Sequence, residues 1–483
     1  MQIHNVKKNI KWSIVQIMTS LITALLVYRV LILNIGLEEF GKWALLISFV
    51  SISKIFDLGL SNSSTRFMAK YLNNLKAQQE IFSTTQIAIS LLYLFSIPML
   101  YLIIFFAFPV VYSVDDLALV YELLPLMIVT GYLFITSNVF LGSIDGFNKI
   151  YLRSYCVIAS TVVQLFFTLI LVPKLGILGF VYAQLFQSIS LFVLSRYIIF
   201  SLQPSLEIIP NSFRYSRIKE IFSYSLNVQI SALAFLIMEP VTKFLITLFG
   251  GMTTTGIYET ANQLVLRLRS FLTAANQTIV PIVAAGMNNI NKKKSYLFSF
   301  DYVLLLSGIL FLSIVGLSNI FSLIFFQEIN VMFIFVINII SLAYFINSIC
   351  LPSFFINVGD GNVHLNTHAM VLQSLILLFF GIIFGYIYGG LYVIYAYCIS
   401  LSCSGFFLIS RFFKVNNYHF SLLNSEKILI FTIFALVICF NIIFLNYELL
   451  IFILNPLVTI IFIYYILFKK KLIDYLLKSE RFR

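Results

Sequence analysis

The chain has 483 residues, 60% of them hydrophobic and only 10% charged, against about 25% charged in an ordinary soluble domain. So few charges cannot cover a soluble surface, five cysteines are too few for a disulfide scaffold, and 51 Phe with 27 Tyr exclude disorder. What remains is a polytopic membrane protein carrying a net charge of +12.

A bilayer core of about 30 Å takes about 20 apolar residues per helix. Fourteen such runs follow one another along the chain. They are 11–35, 43–61, 83–107, 120–141, 151–172, 176–200, 221–249, 256–285, 300–325, 331–357, 365–387, 390–412, 428–446 and 449–468. The runs are continuous rather than alternating, which predicts an all-α fold and not a barrel. The first run starts after Lys7, Lys8 and Lys11 and has no small-residue cleavage site, so no cleavable signal peptide is expected.

The charges set the orientation. With the N-terminus placed inside, 24 of the 31 Lys and Arg fall on the inner side and only Lys42 and Lys174 fall outside. The positive-inside rule then puts both termini of this multi-pass protein in the cytoplasm. Lys292–Lys294 and Lys469–Lys471 read as anchors near anionic lipid. The asymmetry also supports an even number of helices.

The two halves resemble each other at an offset of 213–215 residues. Gly36-x4-Gly41-x-Trp43 matches Gly251-x4-Gly256-x-Tyr258, and Asp145-Gly146 matches Asp360-Gly361. Gly176 with Tyr182-Ala183 matches Gly389 with Tyr395-Ala396, and Ser195-Arg196 matches Ser410-Arg411. A duplicated six-helix unit has an even number of helices, so the two repeats are parallel and related by an axis along the membrane normal. The expected organisation is a bundle over 1–205, a second over 206–415, two additional helices within 416–468 and a basic tail over 469–483. Such halves normally enclose a central site and alternate its access between the two faces.

Five positive charges lie within the predicted helices: Arg29, Lys54, Lys243, Arg267 and Arg269. A charge there costs about 2.5–3.5 kcal/mol on insertion scales and usually faces a cavity. The repeat pairs Arg29 with Lys243 and Lys54 with Arg269. At a rise of about 1.5 Å per residue, Lys54, Arg267 and Arg269 lie near the midplane, and Arg29 and Lys243 lie further out. Asp57 is i+3 from Lys54 and can pair with it. Glu239 is i−4 from Lys243 and precedes Pro240, which is expected to kink its helix. The surplus is three positive charges. Arg and Lys bind phosphate through charge-assisted hydrogen bonds, so this surplus suits an anionic substrate such as a pyrophosphate. Arg267 and Arg269 point about 160° apart on one helix, and Arg269, backed by the repeat, is the better cavity candidate.

These residues resemble a bacterial polysaccharide flippase of the Wzx type. The resemblance is carried by Phe40-Gly41-Lys42-Trp43, with its aromatic after a short glycine-bounded outer loop, then by Phe56-Asp57-Leu58-Gly59-Leu60-Ser61-Asn62 with Thr65-Arg66. Gly142-x2-Asp145-Gly146 and Lys174-Leu175-Gly176-x2-Gly179 agree with it. It spans about residues 1–412 by architecture. It implies the wider superfamily of multidrug (MATE) exporters and lipid II flippases, whose fold is two six-helix bundles in a V. The implied substrate is an undecaprenyl-pyrophosphate-linked oligosaccharide for O-antigen, capsule or another surface polysaccharide. Basic residues in helices 1, 2 and 8 of lipid II flippases line the cavity, and Arg29, Lys54 and Arg269 occupy comparable places. Lys54 stands where an arginine is expected.

The other signals are weaker. Asp360, His364 and His368 fall at i, i+4 and i+8, where one helix face could present them to a metal, although an interfacial cap with two ordinary histidines is the simpler account. Asp115-Asp116 reads as a solvated outer turn. Cys156, Cys350, Cys398, Cys403 and Cys439 read as packing residues. No Walker motif is present, so ATP is not the expected driver. No cofactor, metal or nucleic acid is expected.

The combined expectation is a transporter, not an enzyme, that moves a polyprenyl-pyrophosphate oligosaccharide to the outer leaflet, with Arg29, Lys54, Lys243, Arg269 and Arg267 on the pyrophosphate. Asp57 would hold Lys54, and Glu239 beside Pro240 would couple transport to an H+ or Na+ gradient. A polysaccharide polymerase and a chain-length regulator are possible partners. Two alternatives stand. A MATE-type drug antiporter would need an acidic lining, and a membrane-embedded polymerase or glycosyltransferase would need a large outer loop.

Overall fold

The computed structural model describes residues 2–52, 60–71, 74–206, 213–277, 279–284 and 289–418. The predicted helices at 428–446 and 449–468 and the basic tail at 469–483 lie outside these residues. So do Lys54, Asp57 and the Phe56–Gly59 stretch.

The described residues are helical almost throughout. The order is α1 (Gln2–Val50), α2 (Leu60–Lys70), α3 (Leu75–Ala107), α4 (Val114–Gly146), α5 (Ile150–Leu202), α6 (Tyr215–Gln277), α7 (Ile279–Ala284), α8 (Asn289–Gly316), α9 (Ser318–Phe326), α10 (Val331–Ser348), α11 (Leu351–Asp360), α12 (Val363–Tyr388) and α13 (Gly390–Val415). Local chemistry sets several starts. Asn74, Ser113 and Asn330 cap α3, α4 and α10 by accepting from the amides of Ala77, Asp116 and Phe333 at 3.0, 3.2 and 2.9 Å. The described parts of the first twelve predicted spans fall largely on these helices, and residues 53–59 of the second span lie outside the described residues.

Two apolar stretches are too long for one crossing. Lys11–Val50 runs for 40 residues and Ile150–Leu202 for 53, about twice what a bilayer core needs. Each is two spans joined at a glycine. α1 breaks at Gly36 (φ 80, ψ 169) and α5 at Gly176 (φ 58, ψ −132). The expected short loop between Gly36 and Gly41 is therefore not a loop; the chain turns at one residue and resumes the helix. α6 breaks in the same way at Gly251 (φ 78, ψ 174). It keeps helical dihedrals through Pro240, so its break is not at the proline. Gly389 (φ 92, ψ 177) alone separates α12 from α13.

The internal repeat is visible in geometry. Gly36 and Gly251 adopt nearly the same dihedrals, in a region that in practice only glycine occupies. Trp43 packs edge-on against Phe180 of α5 at 4.9 Å, and Tyr258 packs edge-on against Tyr397 of α13 at 5.8 Å. Arg196 lies over Phe192 at 5.8 Å and Arg411 over Phe407 at 5.3 Å, with Ser195 and Ser410 donating to the carbonyls of those same phenylalanines.

One sequence match needs a change of register. A Cβ at Gly146 would sit 2.8 Å from the Thr65 carbonyl oxygen and 2.8 Å from Met68 Cβ in α2. A Cβ at Gly359 would sit 3.0 Å from the Val280 carbonyl oxygen and 2.8 Å from Val283 Cβ in α7. The packing glycine equivalent to Gly146 is thus Gly359. The Asp-Gly identity at 360–361 is two residues out of structural register. Gly361 (φ 81) serves instead as the C-cap of α11.

The chain forms two compact units, Met1–Gly256 and Ile257–Arg483. The boundary falls inside α6, so the compact units do not coincide with the sequence repeats. In the first unit a core gathers Met68, Phe82, Phe140, Leu141, Ile144, Leu191 and Ile199. In the second, Leu365, Ala369 and Leu408 pack around Cys350. Outward-facing Phe95, Phe106, Phe379 and Tyr386 are exposed, as expected of helix faces solvated by lipid chains.

Candidate substrate-binding site

The first unit holds Arg29, Lys243, Glu239 and Pro240. Arg29 lies on α1 before the Gly36 break and is partly buried. Lys243 is fully buried. Its ammonium donates to Glu239 Oε1 at 2.8 Å and to the Ala44 carbonyl at 3.3 Å. The i−4 pairing foreseen from the sequence is therefore present, and the ammonium is engaged rather than open. Glu239 keeps 39% of its side chain exposed, so this pair bridges interior and surface.

Lys42 behaves differently from a topological outer charge. It is buried, with its ammonium 2.7 Å from Asp116 Oδ1, 2.7 Å from Glu39 Oε1 and 3.5 Å from Glu38 Oε1. Tyr112 donates to the Lys42 carbonyl at 2.6 Å. Asp116 is thus no solvated turn residue. It joins the N-terminus of α4, capped by Ser113, to α1 just beyond its break.

The second unit holds Arg267 and Arg269, both partly buried. Arg269 Nη2 donates to Asn347 Oδ1 at 2.6 Å, and its guanidinium lies 5.3 Å from the Tyr344 ring centroid. Among the described residues no carboxylate forms an ion pair with Arg269. The Tyr344 hydroxyl donates to Asn262 Oδ1 at 3.2 Å and lies 2.7 Å from the Tyr397 hydroxyl.

The sequence reading missed three contributors here. Glu259 is 1% exposed. It lies within the predicted 256–285 span and lowers the counted positive surplus by one; an acid census of every span would have found it. Asn347 and Tyr344 had no signal of their own, because an amide or a phenol in an apolar run is commonplace until the partner is known.

The weaker constellation dissolves. Asp360 ends α11 and pairs with Lys292, whereas His364 and His368 lie on α12 with ring centroids 6.0 Å apart. The three are not on one helix. Cys156, Cys350 and Cys398 are buried, but Cys403 is exposed. Cys439 lies outside the described residues.

Paired glycine-broken helices, a geometric internal repeat and basic side chains within long apolar helices define a polytopic helical membrane protein. Solved structures share the fold. A multidrug-resistance MATE family transporter of the MOP superfamily in an inward-facing conformation aligns with TM-score 0.70 and 14% identity, over 84% of this chain and 96% of that one. The lipid II flippase MurJ in an inward closed conformation aligns with TM-score 0.66 and 15% identity, over 95% and 99%. A MOP superfamily transporter from Pyrococcus furiosus, described as having a binding pocket of reverse polarity, aligns with TM-score 0.63 and 14% identity, over 87% and 97%. A putative O-antigen transporter of Shigella flexneri is 21% identical over 340 residues, 66% of this chain and 77% of its own. Residues 6–287 match the model of the polysaccharide biosynthesis protein family, and the chain belongs to that family.

Proposed function

We propose that the protein is a flippase that moves an undecaprenyl-pyrophosphate-linked oligosaccharide from the cytoplasmic to the outer leaflet of the bacterial inner membrane by alternating access. Both termini would be cytoplasmic. A surface-polysaccharide polymerase and a chain-length regulator would act on the delivered product.

The observation that carries this reading is Arg269. It is a guanidinium within an apolar helix, held by an amide and an aromatic ring and by no carboxylate among the described residues. A permanent positive charge kept at that depth is costly unless an anion meets it. Arg29, Lys54 and Arg267 join it as pyrophosphate ligands, and Asp57 positions Lys54. Lys243 joins the set when Glu239 takes up a proton and releases the ammonium, which makes Glu239 the coupling group beside Pro240. The same step could run on Na+ exchange at Glu239.

Charge reversal tests the reading. Arg29→Glu and Arg269→Glu should each abolish export of surface glycan in a strain lacking the chromosomal copy, at normal protein level in the membrane. Full complementation by both variants would refute pyrophosphate binding by these arginines.

A further inference from the structure

The described cations are not held alike. Lys243 is neutralised by Glu239 at 2.8 Å. Lys42, outside that set, meets three carboxylates. Among the described residues Arg269 is oriented by neutral groups only. Asn347 is 6% exposed and accepts from Arg269 Nη2 through Oδ1. Its Nδ2 donates at 2.9 Å to the Leu401 carbonyl on α13. A carbonyl can only accept, so this second bond fixes which end of the amide faces the arginine. The Asn347 backbone is pinned too, because a Cβ at Gly405 of α13 would lie 3.4 Å from Asn347 Cα.

The aromatic contact is equally constrained. The Tyr344 ring beneath the guanidinium is held at its hydroxyl by Asn262 and Tyr397, and the residue is 1% exposed. Two residues of α10, one turn apart, thus grip Arg269 from α6. Neither carries charge. Among the described residues Arg269 Nε is buried without a hydrogen-bond partner, and an unmade bond of that kind is costly in an apolar interior. The guanidinium is therefore aimed, not neutralised and not fully satisfied.

We infer that Asn347 is a positioning residue for anion binding, an amide placed where a carboxylate would orient Arg269 equally well but would cancel its charge. This rests on the reading of Arg269 as a pyrophosphate ligand. The chemistry selected at this position is an oxyanion with directional acceptors, which suits a bidentate guanidinium contact. Asn347→Asp is the decisive substitution. It keeps shape and the acceptor toward Arg269, adds an ion pair and removes the spare charge, at the loss of the donor to the Leu401 carbonyl. A merely structural role for Asn347 would leave anion affinity untouched in a folded Asp variant.

The test uses the full-length protein in phosphatidylcholine nanodiscs, with fluorescent farnesyl pyrophosphate as probe and farnesol as uncharged competitor. Arg269→Ala and Asn347→Asp should each weaken probe binding about tenfold, the scale of one charge-assisted contact. Asn347→Asp gains an ion pair to Arg269 and loses the bond to Leu401, so it should melt near the wild-type temperature, and displacement by farnesol should be unchanged. Asn347→Ala, which keeps the charge but loses the orienting bond, should weaken binding about threefold. If Asn347→Asp binds within twofold of wild type while Arg269→Ala is weak, the role of Asn347 is wrong and the arginine reading survives. If Arg269→Ala also binds normally, the underlying reading fails. Should Asn347→Asp not fold, wild-type affinity in Asn347→Ala overturns the inference. A parallel arm in phosphatidylglycerol nanodiscs separates sources: loss of probe binding there would assign the site to a membrane headgroup and overturn the polyprenyl assignment.

Discussion

Gly41 and Gly256 are packed so closely that neither position has room for a Cβ. A Cβ on Gly41 would overlap the Met252 carbonyl and lie 3.1 Å from the Gly256 amide, and one on Gly256 would lie 2.5 Å from the Leu37 carbonyl. Leu37 and Met252 are themselves equivalent in the repeat, so the contact is reciprocal. It joins the two helix segments about a local two-fold, as small residues do where membrane helices approach backbone to backbone. Gly41→Val or Gly256→Val should therefore be destabilising by about 1–3 kcal/mol or more, because the obstacle is backbone and cannot move aside as a side chain would. Thermal unfolding of the purified protein in detergent checks this, with Gly131→Ala as a milder control since its obstacle is the Tyr93 hydroxyl.

The glycine five residues earlier serves a different need. A Cβ on Gly36 would meet nothing within 4 Å, so space is not the issue; its dihedrals are (φ 80, ψ 169). Gly36→Ala should cost about 1–3 kcal/mol from backbone strain alone. Gly36→Asn should not rescue it, because asparagine tolerates the left-handed helical region and not an extended ψ. Equal stability of Gly36→Ala and wild type in the same melting assay would show that the break relaxes into ordinary geometry.

These glycines mark how far the sequence could be read. Hydropathy located the apolar runs because they report lipid contact directly, and among the described residues eight helices are long and apolar enough to cross a membrane. The motif Gly36-x4-Gly41 signalled a special backbone, but its two glycines do different work, one conformational and one steric, and spacing cannot separate them. The Asp-Gly match at 360–361 slipped by two residues because identity outweighed packing; only the contact of Gly359 with Val280 and Val283 set the register. At the site, the i−4 rule anticipated Glu239–Lys243. Pairs distant in sequence were out of reach. Nothing local ties Arg269 to Asn347 or Lys42 to Asp116, since each pair is made by folding separate helices together.

Lys42 gives a third prediction. Its side chain is 10% exposed and meets Asp116, whose side chain is 23% exposed, and Glu39, at 37%. Lys42→Met should destabilise the first unit by on the order of 2 kcal/mol, below the full cost of breaking a buried pair because both acids keep access to water. Glu38→Gln should change little, since Glu38 is 67% exposed and 3.5 Å away. A double-mutant cycle with Asp116→Asn should recover most of the Lys42→Met loss, as the uncompensated carboxylate is then gone. Additive losses would place the energy in the aliphatic stem of Lys42 instead.

The Glu239–Lys243 pair separates stability from coupling. Lys243 is fully buried, so Glu239→Gln removes the carboxylate that its ammonium meets at 2.8 Å and leaves the charge beside neutral acceptors such as the Ala44 carbonyl. The expected cost is about 3 kcal/mol, and the double substitution Glu239→Gln with Lys243→Met should recover most of it. Transport should behave otherwise. If Glu239 takes up the coupling proton, the single and the double substitution both lose gradient-dependent flipping in proteoliposomes, although the double one is stable. Recovered gradient dependence in the double variant would make the pair purely structural. Retained dependence in Glu239→Gln alone would move the coupling elsewhere, with the buried Glu259 as the next carboxylate to substitute.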